Sequence, residues 1–446
     1  MGILEPIRRI NIGRPEAAVE KPNLPNMEST TGTATRDQAN MESLVQALEG
    51  GIPENLELDL FNTEHAFSYK NDQALRKALW LFGLMNRPQL VRLGSILGLN
   101  AVQLGLPFAE KIIRNTIFEQ FCGGTSLQDT LPTIKRLSAA GVFSILDYGA
   151  EGKETEADFD HTMEQTIAAL KFGAGNPSVP MVSTKITGMA RFGLLEAVHR
   201  GDVLSNAEKA EFERASGRIA RVCEVAASSG VAISFDAEET WIQRPIDDLA
   251  RTMMEHFNRE KVLVYNTYQL YLRDRLQDLR DAHAAAREKG YLLGAKLVRG
   301  AYIEKEHHRA ETMGYPSPIQ ADKAATDHDY NQALRYCVEH IEEIACFNAS
   351  HNAFSAMLLA TLAVRYNLPR NHPHLFFAQL FGMSDNLTFN LAKSGFNAGK
   401  YVIYGAVKDV MPYLIRRAKE NTAVSGDMGR EYRFIAAEIK RRRQQK

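Results

Sequence analysis

From about residue 140 onward the chain repeats one rhythm, a short apolar stretch followed by a longer amphipathic one. Eight apolar stretches carry it, at 142–148, 181–187, 231–236, 262–267, 291–299, 345–350, 375–380 and 401–404. Runs of this length that are apolar on both faces read as strands buried in a parallel sheet, and parallel neighbours need crossover helices between them. Eight such units are enough to close a sheet on itself. The pattern therefore predicts an α/β protein built as a (β/α)8 TIM-like barrel. With 446 residues, 45% of them hydrophobic, there is material for the barrel and an additional lobe.

Residues 1–55 are rich in Pro, Gly, Asn, Thr and Glu without a sustained apolar period. That composition predicts a mostly disordered segment, with a short helix at 41–48. Residues 56–135 read as an α-helical lobe. Leu75, Leu79, Phe82 and Leu84 recur at helical spacing, as do Val91, Leu93, Ile96 and Leu97, with Asn86-Arg87-Pro88 between them. Ile112, Ile113, Ile117, Phe118 and Phe121 mark a further helix, and Gly123-Gly124 marks the change of rhythm. The barrel is expected over 136–433, with a charged helix at 154–172 and a basic tail at 434–446.

Balanced charge, 53 basic against 54 acidic residues, gives no whole-protein field for nucleic acid. Cys122, Cys223, Cys337 and Cys346 lack C-x-x-C or metal-ligand spacing, so reduced core thiols and no metal are expected. No stretch approaches the roughly 18 to 20 apolar residues of a membrane span. The start, Met-Gly-Ile-Leu-Glu-Pro, has no secretory core and no Arg-rich, acid-poor leader, which reads as a soluble, cytoplasmic, bacterial protein.

Barrels of this class place reactive groups at the C-terminal strand ends. Those ends read Asp147, Lys185, Asp236, Gln269, Lys296 with Arg299, Ser350-His351-Asn352, Gln379 and Tyr401. In the run Gly294 to Tyr302, small residues that admit a ligand close to the backbone alternate with two cations and end on a phenol. Further on, Tyr413, Arg416, Arg417 and Glu420 fall near one face of the last expected helix. Paired guanidinium groups suit a carboxylate held in bidentate fashion, although an Arg-Arg pair also suits an exposed helix end. A lysine at a strand end also fits a Schiff-base aldolase, with Lys185 or Lys296 as the amine. The closing run Lys440-Arg441-Arg442-Arg443 reads as a solvated helix end or as a contact for anionic lipid.

Several segments together resemble the proline dehydrogenase family of flavoenzymes. They are Val182-Ser183-Thr184-Lys185, Ile233 to Glu239, Tyr268-Gln269, Lys296 to Tyr302, Ala349-Ser350-His351-Asn352, Gln379 to Met383, Tyr401 to Gly405 and Arg416 to Asn421. The resemblance runs from about Phe61 to Arg433. It implies noncovalent FAD over the strand ends and oxidation of L-proline to Δ1-pyrroline-5-carboxylate, with electrons passed to a membrane quinone. It further implies peripheral membrane association and coupling to a pyrroline-5-carboxylate dehydrogenase. Carried onto this sequence, Arg416, Arg417 and Lys185 meet the substrate carboxylate, and Asp236, Leu297, Tyr302, Tyr401 and Tyr413 complete the pocket. FAD is lined by Asp236, Ala237, Gln269, Lys296, Val298, Arg299, Gly300, Ala301, Ser350, His351, Asn352, Gln379 and Glu420. Two departures stand out: many bacterial members have Arg where this chain has Lys296 and an aromatic where it has Ile303. Tyr401 matches a position where hydroxyproline-oxidising relatives carry Ser, which implies a preference for proline.

Overall fold

The computed structural model describes Leu48, residues 51–85, scattered positions from 87 to 101, and residues 107–149, 154–423 and 427–445; side chains 419–428 lie outside the description. The expected helix at 41–48 and most of 86–97 also fall outside it.

All eight expected strands form. They are β2 (Phe143–Tyr148), β3 (Met181–Thr184), β4 (Ala232–Phe235), β5 (Val264–Gln269), β6 (Leu293–Val298), β7 (Ile344–Ala349), β8 (Leu375–Leu380) and β9 (Ala398–Tyr404). Every neighbouring pair is parallel, and β9 pairs with both β8 and β2, so the sheet closes. The third strand is shorter than expected, because the chain turns into a one-turn 3-10 helix at Ile186–Gly188. A ninth strand, β1 (Cys122–Gly124), was not expected; it lies parallel to the end of β9. Its glycines are required by crowding, since a Cβ on Gly123 would stand 2.2 Å from Val402 Cγ1.

Strand alternation sorts the apolar side chains into two cores. Leu146, Val182, Ile233, Val264, Leu293, Leu297, Phe377 and Val402 pack with the surrounding helices. Ile145, Met181, Tyr265, Ala345, Phe347, Ala378, Tyr401 and Ile403 fill the barrel interior. The crossover helices carry their own stop signals. In Asn206–Ser229, for example, Ser205 and Glu208 form a capping box, and Gly230 ends the helix in the left-handed conformation.

The helical lobe uses Thr63–Phe67, Asp72–Met85 and Pro107–Ile113, continued by a π-helical turn at Arg114–Phe118. Leu75, Phe82, Phe118 and Phe121 are buried as their spacing predicts, whereas Ile112 is 63% exposed. Residues 434–444 are not a separate tail. They continue the helix Asp427–Gln444, which packs on the lobe, with Arg442 donating to the carbonyls of Phe67 and Lys70 and to Asp72. The arginine-bearing helix, Val407–Ala423, is thus the penultimate one.

Candidate active site

The mouth of the barrel is organised around Asp236, the first residue beyond β4. Its Oδ1 accepts from Ser183 Oγ at 2.8 Å and from Lys296 Nζ, and its Oδ2 accepts from Lys185 Nζ at 3.1 Å. Burial alone would raise this carboxyl, but Lys296 and Lys185 outweigh it and hold Asp236 well below the usual carboxylate range. Burial likewise opposes charge on Lys296, yet Asp236 prevails and the ammonium is pushed up to about 12.

Lys296 also stands 4.7 Å over the ring of Tyr401, which lies parallel to Phe347 at 6.1 Å. The Tyr401 hydroxyl is buried against Lys296 and Ser234 without a well-formed hydrogen bond to either. Leaving such a group unpaired costs roughly 1 to 3 kcal/mol, so an orphan of this kind beside a buried cation is a position for a ligand.

The helix Val407–Ala423 covers this mouth. Val407, Val410, Met411, Tyr413, Leu414 and Ala418 share the apolar cluster of Tyr401, Ile403 and Phe347. Gly149 lets the helix settle on the strand ends, because a Cβ there would lie 2.6 Å from Val410. Arg416 and Arg417 are half-buried, and the Arg417 guanidinium lies 5.5 Å from the ring centre of the buried Tyr413. Tyr302 is buried in the same neighbourhood. Burial raises its hydroxyl, against the nearby charges of Lys185 and Arg416.

Around this centre lie the remaining strand-end residues. The Gln269 amide donates to the Glu238 carbonyl at 2.7 Å. Arg299 donates to Asp327, to Ser350 Oγ at 2.7 Å and to Ser355 Oγ at 3.0 Å, and it stacks 4.3 Å over Tyr330. Gly300 has φ of +140°, and a Cβ there would enter the Tyr271 ring at 2.4 Å, so only glycine lets the chain leave β6 on this path. Ala237 is buried, Val298 half-buried and Ala301 exposed beside it. Asn352 caps the helix Ala353–Arg365, accepting from Ser355 N. His351 Nδ1 is 2.8 Å from Ser384 Oγ, and burial, with Lys400, Arg430 and Arg417 nearby, holds the ring neutral. Glu420 lies on the arginine helix, but its side chain is outside the described residues.

Two expected residues are not brought to the mouth. Leu297 is fully buried in the outer core, because alternation turns Lys296 inward and its neighbour outward. Gln379 likewise alternates with the inward-facing Ala378 and Leu380. Its amide donates to the Ser350 carbonyl at 2.9 Å and accepts from Thr388 Oγ1 at 2.6 Å, so it braces the β7 exit from behind.

One residue of the mouth escaped the sequence reading. Glu238 is fully buried, accepts from Thr187 N and Oγ1, and is raised by burial to about 7 against the opposing Lys185. Its signal was the acidic run that begins at Asp236.

A flat, polyanionic ligand fits these donors: two lysines, three arginines, exposed small residues after β6 and an orphan hydroxyl. The sequence model described as proline dehydrogenase matches residues 130–430. This chain belongs to the proline dehydrogenase family. It is 32% identical over 368 residues to proline dehydrogenase 1, mitochondrial, of Caenorhabditis elegans, covering 78% of this chain and 58% of that protein. It is 27% identical over 473 residues to a hydroxyproline dehydrogenase of Xenopus laevis, covering 98% of each. Proline utilization A of Bdellovibrio bacteriovorus, in a structure inactivated by N-propargylglycine, superposes with a TM-score of 0.65 at 20% identity. That match covers 88% of this chain and 42% of the other, and it shows the shared barrel fold. Both proline- and hydroxyproline-oxidising names thus occur among the family's members similar to this chain.

Proposed function

We propose that this chain is an FAD-dependent proline dehydrogenase that oxidises L-proline to Δ1-pyrroline-5-carboxylate and passes the electrons to a membrane quinone. The observation that carries this reading is Asp236 fixed between Lys185 and Lys296, beneath a helix bearing Tyr413, Arg416 and Arg417. Gln269, Lys296, Val298, Arg299, Gly300, Ala301, Ser350, His351 and Asn352 would hold the cofactor, together with Asp236, Ala237 and Glu420. FAD supplies the acceptor for the hydride that leaves the ring carbon beside nitrogen.

The chain's own contribution is positioning and electrostatics. Arg416, Arg417 and Lys185 hold the substrate carboxylate, each charge-assisted bond contributing roughly 1.5 to 3 kcal/mol. The same cations disfavour a second positive charge, which helps the substrate amine release its proton. Asp236 stays ionised and orients both lysines rather than acting as the base. Glu238, ionising near neutrality behind Lys185, is placed to hold a proton. Lys296 keeps its charge and would stand beside the hydride acceptor, the side of the transfer on which negative charge builds.

Two alternatives fare worse. A Schiff-base lysine needs a depressed pKa, whereas Lys296 is pushed up and Lys185 is tied to Asp236. A hydroxyproline substrate would place its ring hydroxyl against Tyr401, which is locked on Phe347. The product passes to a separate pyrroline-5-carboxylate dehydrogenase.

No helix among the described residues is long and apolar enough to cross a membrane, so delivery to quinone calls for peripheral contact. Arg441 and Arg442 are occupied by Glu438 and the lobe, which leaves the exposed Lys440 and Arg443 for anionic lipid. The test of the activity is L-proline-dependent reduction of a soluble quinone analogue by the purified protein. Turnover with trapping of the pyrroline product is expected; absence of turnover with FAD supplied refutes the reading.

A further inference from the structure

Ser384 sits behind the mouth in an unusual backbone state. Its φ of +49° is left-handed, a conformation a non-glycine residue rarely adopts, and it precedes the helix Asp385–Lys393 without capping it through its side chain. The hydroxyl is used elsewhere. It lies 2.8 Å from His351 Nδ1, accepts from Arg430 Nη2 at 3.1 Å, and donates at 3.3 Å to Glu431 Oε1, which also accepts from Ser384 N at 2.8 Å. Arg430 and Glu431 belong to the helix Asp427–Gln444. Ser384 and Glu431 are both nearly inaccessible.

Hydrogen-bond chemistry fixes the direction of this chain of contacts. Arg430 can only donate, so the Ser384 oxygen accepts there. Its single proton goes to Glu431 Oε1, a carboxylate oxygen that can only accept, so at His351 the Ser384 oxygen accepts from Nδ1–H. A neutral imidazole that donates at Nδ1 leaves Nε2 as an acceptor. Nε2 makes no hydrogen bond to protein among the described residues, and the ring is partly exposed.

We propose that Glu431 and Ser384 are positioning residues that lock His351 as the Nδ1–H tautomer, presenting Nε2 as a fixed hydrogen-bond acceptor to the cofactor. The inference rests on the FAD reading above. It gives the penultimate contact of the cofactor site to a helix that packs on the opposite side against the helical lobe. The hydroxyl thus has a use at a position where glycine would relax the backbone.

Ser384→Gly separates the two roles, because glycine relieves the left-handed strain while removing only the hydroxyl. Two measurements are needed: the FAD dissociation constant from flavin fluorescence, and the His351 tautomer from side-chain nitrogen NMR of the apoprotein. The expected result is an Nδ1–H ring in the parent, loss of that single tautomer in Ser384→Gly, and FAD binding weakened roughly tenfold with the melting temperature unchanged or raised. Glu431→Gln, which keeps an acceptor for Ser384 N, should weaken FAD less. Equal FAD affinity in parent and Ser384→Gly, or a parent ring protonated at Nε2, overturns the proposal. A parent protein that binds no FAD at all overturns the functional reading instead, and the NMR result distinguishes the two failures.

Discussion

Among the described residues two aspartates are each gripped by a pair of lysines, and they behave differently. Asp236 at the mouth meets Lys185 and Lys296; Asp385, the first residue of the helix joining β8 to β9, meets Lys70 and Lys400. At Asp385 the circle is closed. Tyr69 donates to the same carboxylate at 2.7 Å, its ring stacks 4.4 Å from Phe389, and Lys400 is almost wholly inaccessible, donating to the Met383 carbonyl as well. Burial pulls the Lys400 ammonium down, whereas Lys296 is pushed up. At Asp236 the circle is open: Lys185 and the carboxylate keep 19% side-chain exposure, and the orphan Tyr401 hydroxyl and the arginine helix lie alongside. The same charge pattern thus serves as a clamp between lobe and barrel in one place and stays open in the other. What separates them is access: side-chain exposure is 3% at Asp385 and 1% at Lys400, against 19% at both Asp236 and Lys185.

That distinction can be broken by exchanging effects between the two. Asp385→Asn removes the anion from between two buried cations and should cost about 3 to 5 kcal/mol of stability, read as a large fall in denaturation midpoint, with kcat/KM for proline little changed in the surviving native fraction. The Asp385 carboxyl is depressed in the folded state, so its stabilisation is present above the unfolded value of roughly 3.9 and is lost as pH falls below it. The variant should therefore show a shallower acid limb. Arg417→Met should do the reverse, lowering kcat/KM for proline about a hundredfold, since it removes a charge-assisted bond to substrate, while the melting temperature moves little. A parallel loss of stability and activity in both variants would erase the contrast.

Glu238→Gln sharpens the mouth side. A buried acid raised to about 7 stabilises the fold while protonated, below its unfolded value of roughly 4.3, and that contribution is lost as pH rises to about 7. The variant's melting temperature should hold flat between about pH 5 and 8, where the parent declines, and one ionisation should leave the pH profile of kcat/KM. An unchanged profile would remove Glu238 from the proton path. The smallest effect expected is for Tyr401→Ser, a severalfold narrowing of the preference for proline over 4-hydroxyproline in steady-state kinetics, because the ring now stacked on Phe347 no longer crowds a ring substituent.

Much of the barrel was legible because its strands are buried on both faces and so read as plain apolar runs, which is why eight segments fell where the sheet has them. Asp236, Lys185, Lys296 and the two arginines were legible for a related reason: charge at the end of an apolar run has few structural uses. The failures have equally physical causes. The resemblance put Leu297 in the substrate pocket and Gln379 on the cofactor, but the two-residue alternation of the strands sends Leu297 outward and turns Gln379 into a brace. The strand at Cys122–Gly124 has no apolar run to announce it, being set by two glycines that allow close approach to β9. The Asp385 clamp and the Ser384 relay could not be read at all, since Tyr69, Lys70, His351, Lys400 and Glu431 come from distant stretches that only the closed barrel brings together.

The central claim is that the open aspartate and the helix above it form a flavin site for an amino acid with a secondary amine. Anaerobic titration of the purified, FAD-loaded protein with L-proline, followed by its visible spectrum, tests this most directly. Stoichiometric bleaching of the flavin band is predicted, lost in Arg417→Met at the same proline concentration. A flavin that stays oxidised in saturating L-proline, or a protein that retains none, would contradict it.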